Sequence, residues 1–258
     1  MDNCKTDEEI ELLKLSNQLV TKTLAEMAKV IQPEVTTKFL DRIAEQFIRD
    51  HHGIPGFLGY NGFPATLCTS INCQVVHGIP GDIVIKEGDI ISVDCGVILN
   101  GFYGDCAFTF AVGLISEEVK RLLRVTKECL FLGAEKAYAG QRTGDIGFAI
   151  QQHAEASGYS VVREMVGHGI GKRLHEDPEV PNYGKKGTGK KLSKNMTICI
   201  EPMINMGANK IVQEKDGWTV RTGDRKPSAH FELPFAVKEG SPLFLSNFND
   251  IEEVLNQK

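Results

Sequence analysis

Apolar and polar positions change their period several times along this chain. Between residues 6 and 31, apolar side chains fall at Ile10, Leu13, Val20, Leu24, Met27 and Ile31, one face of a long helix. Thr6-Asp7-Glu8-Glu9 forms a capping box at its start, and Pro33 ends it. A second helical stretch begins at Thr36 or Thr37, carries Phe39, Leu40, Ile43, Ala44, Phe47 and Ile48, and stops near Gly53. The turn-rich run IPGFLGYNGFP follows, then strand-like Thr66 to Asn72 and a segment around His77. After two further strand-like runs, Ser116 caps a predicted helix through Ala139, and Thr143 opens a shorter one that ends at Gly158.

Those two runs, IISVDCGVILNGFYGDCAFTF from Ile90 to Phe110, are the stretch around which the chain is organised. Asn100-Gly101 between β-branched, apolar segments is a strong hairpin signal, because both residues tolerate positive φ. With those two in the turn, Leu99 faces Phe102, Asp94 faces Ala107, and Asp105 faces Gly96. Side chains alternate faces along a strand, so Asp94 and Asp105 emerge from one face as diagonal neighbours, with backbones roughly 7–8 Å apart. Two carboxylates on one face of an apolar ribbon repel unless a cation lies between them. A divalent ion satisfies that condition; an aspartate solvated at a sheet edge satisfies it equally for an isolated pair. Cys95 faces Cys106 on the opposite side, and two buried thiols are expected there rather than a disulfide.

The order of elements repeats. Long helix, short helix and strands fill about 6–110, and the same order fills about 116–248. The short helices match loosely, each running from threonine to glycine (Thr37 to Gly53, Thr143 to Gly158). One domain over 1–258 is therefore expected, with two α+β halves related by approximate twofold symmetry and sharing one sheet system.

Composition narrows the class. The 258 residues can bury a substantial core, and 24% charged with 41% hydrophobic residues is ordinary for a soluble globular protein. A net charge of −5 argues against general DNA or RNA binding. Seven scattered cysteines without a CxxC motif fit a reducing, cytoplasmic setting. The N-terminal stretch MDNCKTDEEIELLK is acidic and amphipathic, unlike a signal peptide, and no apolar run approaches the ~20 residues that span a bilayer. The lysine- and glycine-rich KKGTGKKLSK, Lys185 to Lys194, reads as a solvated connector, with a docking patch for an acidic partner as the alternative.

The second half adds three candidate ligands in strand-like sequence. His168 lies between glycines in VVREMVGHGIG, Glu201 in the apolar run MTICIEPM, and Glu232 in SAHFELPFAV. An unpaired carboxylate in such runs is costly. With Asp94 and Asp105 they make four carboxylates and one imidazole, whose charge two divalent cations would balance. Oxygen-rich ligation with one nitrogen suits Mn²⁺, Fe²⁺, Co²⁺ or Zn²⁺ in a two-metal centre.

GHGIGKRLHEDP, TICIEPM, the Asp94–Asp105 hairpin and NCQVVHGIP around His77 resemble the type I methionine aminopeptidases, in the short bacterial form. The likeness runs from the first helix to Val237. It implies the pita-bread fold, an α+β architecture of two pseudo-symmetric halves with a curved, mostly antiparallel sheet covered by helices. It also implies hydrolytic removal of the initiator methionine from nascent chains and peptides, preferring a small second residue. By that resemblance, Asp94 would hold one metal, Asp105 and Glu232 would bridge two, and His168 and Glu201 would complete the other. Glu201 would accept the proton of the attacking water, His175 would bind the substrate carbonyl and developing oxyanion, and His77 would serve the scissile nitrogen. The side-chain pocket would be formed by Phe57, Tyr60, Phe63, Cys68, Leu174 and Trp218, the only tryptophan. A monomer in transient contact with the ribosome and independent of membranes is also expected.

The chain departs from the commoner family pattern at several positions. Phe63 replaces a tyrosine, Leu174 stands where phenylalanine is frequent, and Phe57 fills a position that is smaller in some relatives. His230-Phe231-Glu232-Leu233-Pro234 replaces a segment that usually reads Gln, aromatic, Glu, His, Thr. Neither a zinc-finger extension nor the extra N-terminal domain of aminopeptidase P and prolidase is expected, and no type II insertion separates His175 from Glu201. A proline dipeptidase is the alternative enzyme on this fold, and a non-catalytic binding protein the alternative outside enzymes.

Overall fold

The computed structural model describes residues 4–258; the first three residues of the acidic N-terminal stretch lie outside the described residues. Helix α1 (Asp7–Val30) starts at the expected capping box: the Thr6 hydroxyl accepts from the Glu9 N–H at 3.2 Å, and Glu9 accepts from the Thr6 N–H at 3.1 Å. Helix α2 covers Thr37–Asp50. It stops near Gly53 as expected, and the left-handed residue beyond its end is His52 (φ 62°). Gly53 has a different reason to be small, since a Cβ there would come within 3.0 Å of Leu19, Ile48 and Val97.

Helix α3 runs Glu117–Ala134 from its Ser116 cap and stops five residues before the predicted Ala139. Ala137 and Ala139 beyond it are apolar for another reason. Ala137 is fully buried, and the Ala139 N–H leaves the helical direction to bond Lys238 O. Helix α4 (Thr143–Ala156) is capped by Arg142, whose N–H donates to Asp145 Oδ2, and Gly158 (φ 84°) closes it. The lysine-rich loop is only partly a free connector. Its backbone ties the start of α4 through Thr143 N–H to Lys190 O, Gly144 N–H to Thr188 O, and Gly187 N–H to Asp145 Oδ1, and Leu192 is buried beneath it. A short helix α5 (Asn249–Asn256) follows the last strand.

Every strand pairing among the described residues is antiparallel. The hairpin pairs Ile90–Leu99 with Phe102–Ala111 in the predicted register, Asp94 opposite Ala107 and Gly96 opposite Asp105. Cys95 and Cys106 face each other as free thiols. The second half builds a five-stranded sheet in which Thr197–Ile200 lies between Leu233–Ala236 and Gly167–Gly169. The Ala107–Glu232 bridge joins it to the hairpin. One buried apolar cluster includes residues of α1 to α5 and of both strand systems, so the two halves share a core.

Helix α1 lies directly on the hairpin because Gly104 permits it: a Cβ there would sit 2.6 Å from the Ser16 carbonyl carbon. The close approach lets Asn17, fully buried, accept the Asp105 N–H through Oδ1 at 2.8 Å. The long helix thus fixes the backbone of one carboxylate of the site.

Candidate metal centre

The carboxylates converge around one imidazole. His168 Nε2 lies 3.6 Å from Asp105 Oδ2, 3.5 Å from Glu201 Oε1 and 4.0 Å from Glu232 Oε1. Asp94 and Asp105 bring their carboxyls within hydrogen-bonding reach of each other. The five residues singled out from four separate segments are therefore assembled in one place. Glu201 and Glu232 each sit at a break between strands, one step beyond the Ile200–Leu233 pair. Period-two patterning treats each as a strand residue, whereas the structure uses the interruption to turn both carboxylates inward.

The glycines flanking His168 have a steric cause. A Cβ at Gly167 would lie 2.3 Å from Cys199 O, and one at Gly169 would lie 2.3 Å from Asp177 O. The strand carrying the imidazole is thereby pressed between its neighbours. His168 Nδ1 lies 2.9 Å from Gly169 O, an acceptor, so Nδ1 carries the proton and Nε2 keeps its lone pair toward the carboxylates.

Burial, then mutual repulsion, sets the electrostatics. Desolvation raises Asp94 to about 7, and it lifts Asp105, Glu201 and Glu232 well above the ordinary carboxylate range, with neighbouring carboxylates adding to the last three. Burial pushes His168 down to about 4 and His230 to about 3, so both rings are neutral at pH 7. Three buried carboxylate oxygens, Asp94 Oδ1, Asp105 Oδ1 and Glu232 Oε1, have no hydrogen-bond partner. Orphaned carboxyl oxygens around a neutral imidazole lone pair, at spacings two donors about 2.1 Å from a common ion would show, fit divalent cations. The mix of oxygen with one nitrogen is the donor set expected for a borderline metal.

Cys199 was missed by sequence reading. Its sulfur lies in a group with ligand atoms of Asp105, His168 and Glu232, all within 4.8 Å of one another. Its position two residues before Glu201 in the apolar run MTICIEPM was the available signal. Burial drives its thiol far above the usual range, and the nearby carboxyls of Glu232, Asp105 and Glu201 push it the same way. A thiolate there would add a fifth negative charge, and burial holds Cys199 in the neutral thiol form.

Two further histidines border the centre. His175 packs its ring edge-on against His168, centroids 4.4 Å apart, and its Nδ1 lies 2.9 Å from Tyr60 Oη. His77 follows the strand Gln74–Val76 with φ 59°, a backbone conformation that favours glycine and is held here beside the site. Partial desolvation lowers the pKa of both rings.

An apolar pocket of about 240 Å³ opens against the carboxylates. All six predicted wall residues, Phe57, Tyr60, Phe63, Cys68, Leu174 and Trp218, line it, together with the unpredicted Asn61. Trp218 meets Phe63 edge-on at 5.1 Å, and its loop is set by Asp216, whose Oδ1 accepts both the Trp218 and Thr219 N–H groups. A second, more polar cleft of about 500 Å³ leads from the same carboxylates past His77, Glu164 and Glu179.

Residues 11–239 match the model of metallopeptidase family M24. The chain belongs to that family. It is 51% identical to the methionine aminopeptidase of Clostridium perfringens over 94% of this chain and 97% of that protein. It is 48% identical to methionine aminopeptidase 1 of Bacillus subtilis over 92% and 95%. The structure superposes on the crystal structure of methionine aminopeptidase from Rickettsia prowazekii with a TM-score of 0.94 and 41% identity, covering 96% of this chain and 100% of that one. X-Pro aminopeptidase from Thermotoga maritima shares the fold, with a TM-score of 0.76 at 20% identity and 62% of that chain covered. The pita-bread architecture expected from the sequence is thus the fold of this M24 member, and it is an enzyme of the methionine aminopeptidase type. No helix among the described residues is long and apolar enough to cross a membrane.

Proposed function

We propose that this protein is a two-metal aminopeptidase that removes the N-terminal methionine of peptides and nascent chains, especially before a small second residue. The observation carrying the proposal is the convergence of Asp94, Asp105, His168, Glu201 and Glu232 beside an apolar pocket that ends at them. Asp94 would hold one ion, Asp105 and Glu232 would bridge, and His168 with Glu201 would complete the second site. Bound divalent ions supply Lewis-acid polarisation of the scissile carbonyl and a water acidic enough to attack near pH 7.

The protein's own groups do the rest. The pocket takes the first side chain, and aromatic edges such as Phe63 and Trp218 favour a thioether by roughly 0.3–1.5 kcal/mol per contact. With the side chain seated, the free α-amine falls among the carboxylates, which restricts cleavage to the terminus. Glu201 takes the proton of the attacking water and returns it to the leaving nitrogen. His175 donates from Nε2 to the developing oxyanion. For that, its Nδ1 must accept, and the Tyr60 hydroxyl 2.9 Å away is the donor that selects this tautomer. His77 positions the scissile nitrogen. Action as a monomer in the cytoplasm completes the proposal, with the exposed lysines around Lys186 available to a ribosomal surface.

Turnover of Met-Ala-Ser by metal-free protein titrated with Mn²⁺, Fe²⁺, Co²⁺ and Zn²⁺ tests the proposal, with an X-Pro peptide in parallel. Cleavage of the methionyl peptide that saturates at two equivalents is expected. Preference for X-Pro would favour a proline peptidase, and no metal uptake with no hydrolysis would leave a binding protein.

A further inference from the structure

His230 is a buried polar group of this region that none of the preceding roles uses. It is 1% exposed, and its Nε2 has no hydrogen-bond partner. Leaving such an atom unpaired in the interior costs free energy, so its surroundings call for an explanation. The ring cannot easily leave. His230 N–H donates to Thr109 Oγ1 at 2.9 Å, and the Thr109 hydroxyl lies 2.8 Å from His230 O, so one side chain clamps both backbone groups. Thr109 in turn is paired with Ser92 at 2.8 Å on the hairpin. His230 ends the strand Ser228–His230, opposite Met203, two residues before Glu232.

The polar group its Nε2 faces is Glu201. His230 Nε2 lies 3.7 Å from Glu201 Oε2, while His168 Nε2 lies 3.5 Å from Glu201 Oε1. The carboxylate stands between two imidazoles, one for each oxygen. His168 has its Nδ1 proton committed to Gly169 O and presents a lone pair. His230 cannot usefully do the same, because a lone pair against a carboxylate oxygen is repulsive, whereas an N–H there is attractive. We propose that His230 is a positioning residue for Glu201: its Nε2–H holds Oε2 and leaves Oε1 turned toward His168 for the ion. The gap of 3.7 Å is longer than a hydrogen bond, so the role requires the Glu201 carboxylate to turn toward the ring when it serves as a ligand. Outer partners of this kind orient ligating carboxylates, and losing them typically weakens metal binding 10–100-fold. The role rests on Glu201 being a metal ligand.

Three measurements test it on the full-length protein: the Mn²⁺ dissociation constant by chelator competition, kcat and KM for Met-Ala-Ser, and the ¹⁵N shifts of the His230 ring in protein loaded with diamagnetic Zn²⁺. H230L removes the donor at similar volume, and H230Q restores an N–H donor. We expect H230L to weaken Mn²⁺ binding by about 10–100-fold and to lower kcat with KM little changed. H230Q should recover most of both, and the wild-type ring should carry its proton on Nε2. Wild-type affinity and kcat in H230L would overturn the proposal, as would H230Q failing as badly as H230L, which would point to ring shape. If H230L does not fold, the NMR tautomer decides, since a proton on Nδ1 alone is incompatible with the role. A wild-type protein that takes up no metal would instead remove the metallopeptidase proposal itself, a distinguishable result.

Discussion

At the scale of single residues, Glu201 is asked to do the most. It borders His168 and His230, lies in a region dense with other carboxylates, and is the proposed proton acceptor. Glu201→Gln keeps the shape and removes the basic oxygen, so kcat should fall by about 10²–10⁴-fold while a non-hydrolysable methionyl analogue still binds in the pocket. Steady-state kinetics and a binding titration check this, and near-normal kcat would remove Glu201 as the base. His175 and Tyr60 form a separate unit. His175→Ala should reduce kcat by roughly 10²–10³-fold and change KM much less. Tyr60→Phe keeps the aromatic wall and deletes the donor to Nδ1, so it should reproduce part of the His175→Ala loss in kcat. A pure KM effect in either variant would place these residues in substrate binding alone. On the proposed mechanism Tyr60 would have two duties, of which sequence reading identified only the pocket wall.

At the scale of elements, legibility followed from how local the determining physics is. The hairpin register could be written down in advance because Asn100-Gly101 fixes a two-residue turn, and period two then orients Asp94 and Asp105. The capping box of α1 is local in the same sense. The end of α3 was not legible. Ala137 and Ala139 look helical in pattern, yet Ala137 is buried while its N–H closes only a turn on Ala134 O, and the Ala139 N–H is taken by Lys238 O, far away in the chain. Cys199 and His230 were hard to place for a similar reason, since their importance appears only when strands from different segments are laid side by side. Gly104 shows how an element transmits to the site. Gly104→Ala would drive a methyl into the backbone of α1, with a cost of about 1–3 kcal/mol. Because Asn17 of that helix holds the Asp105 N–H, metal affinity should fall along with the melting temperature. Loss of stability with unchanged metal affinity would show that the helix and the ligand are uncoupled.

At the scale of the whole molecule, the site is a liability that the fold carries until a cation arrives. Four carboxylates with raised pKa values bind more protons when folded than when unfolded. Wherever that holds, unfolding free energy falls as pH rises. His77, His168, His175 and His230 have lowered pKa values and act in the opposite direction, but only below their ordinary value of 6.5, above which they are neutral in both states. Above pH 6.5 the carboxylates therefore decide the sign: Asp94 still titrates near 7, and the other three are held above the usual range. Chelator-treated protein should lose stability between pH 6.5 and about pH 8, read as a falling melting temperature. Saturating Mn²⁺ should abolish the slope, because ligation requires the carboxylates to be ionised, and protons should be released on loading near pH 7. A melting temperature of the chelated protein that stays flat or rises across that interval would mean that these carboxylates are already ionised and compensated by the polypeptide. In that case the pressure toward a cation, from which the metal centre was inferred, would not exist.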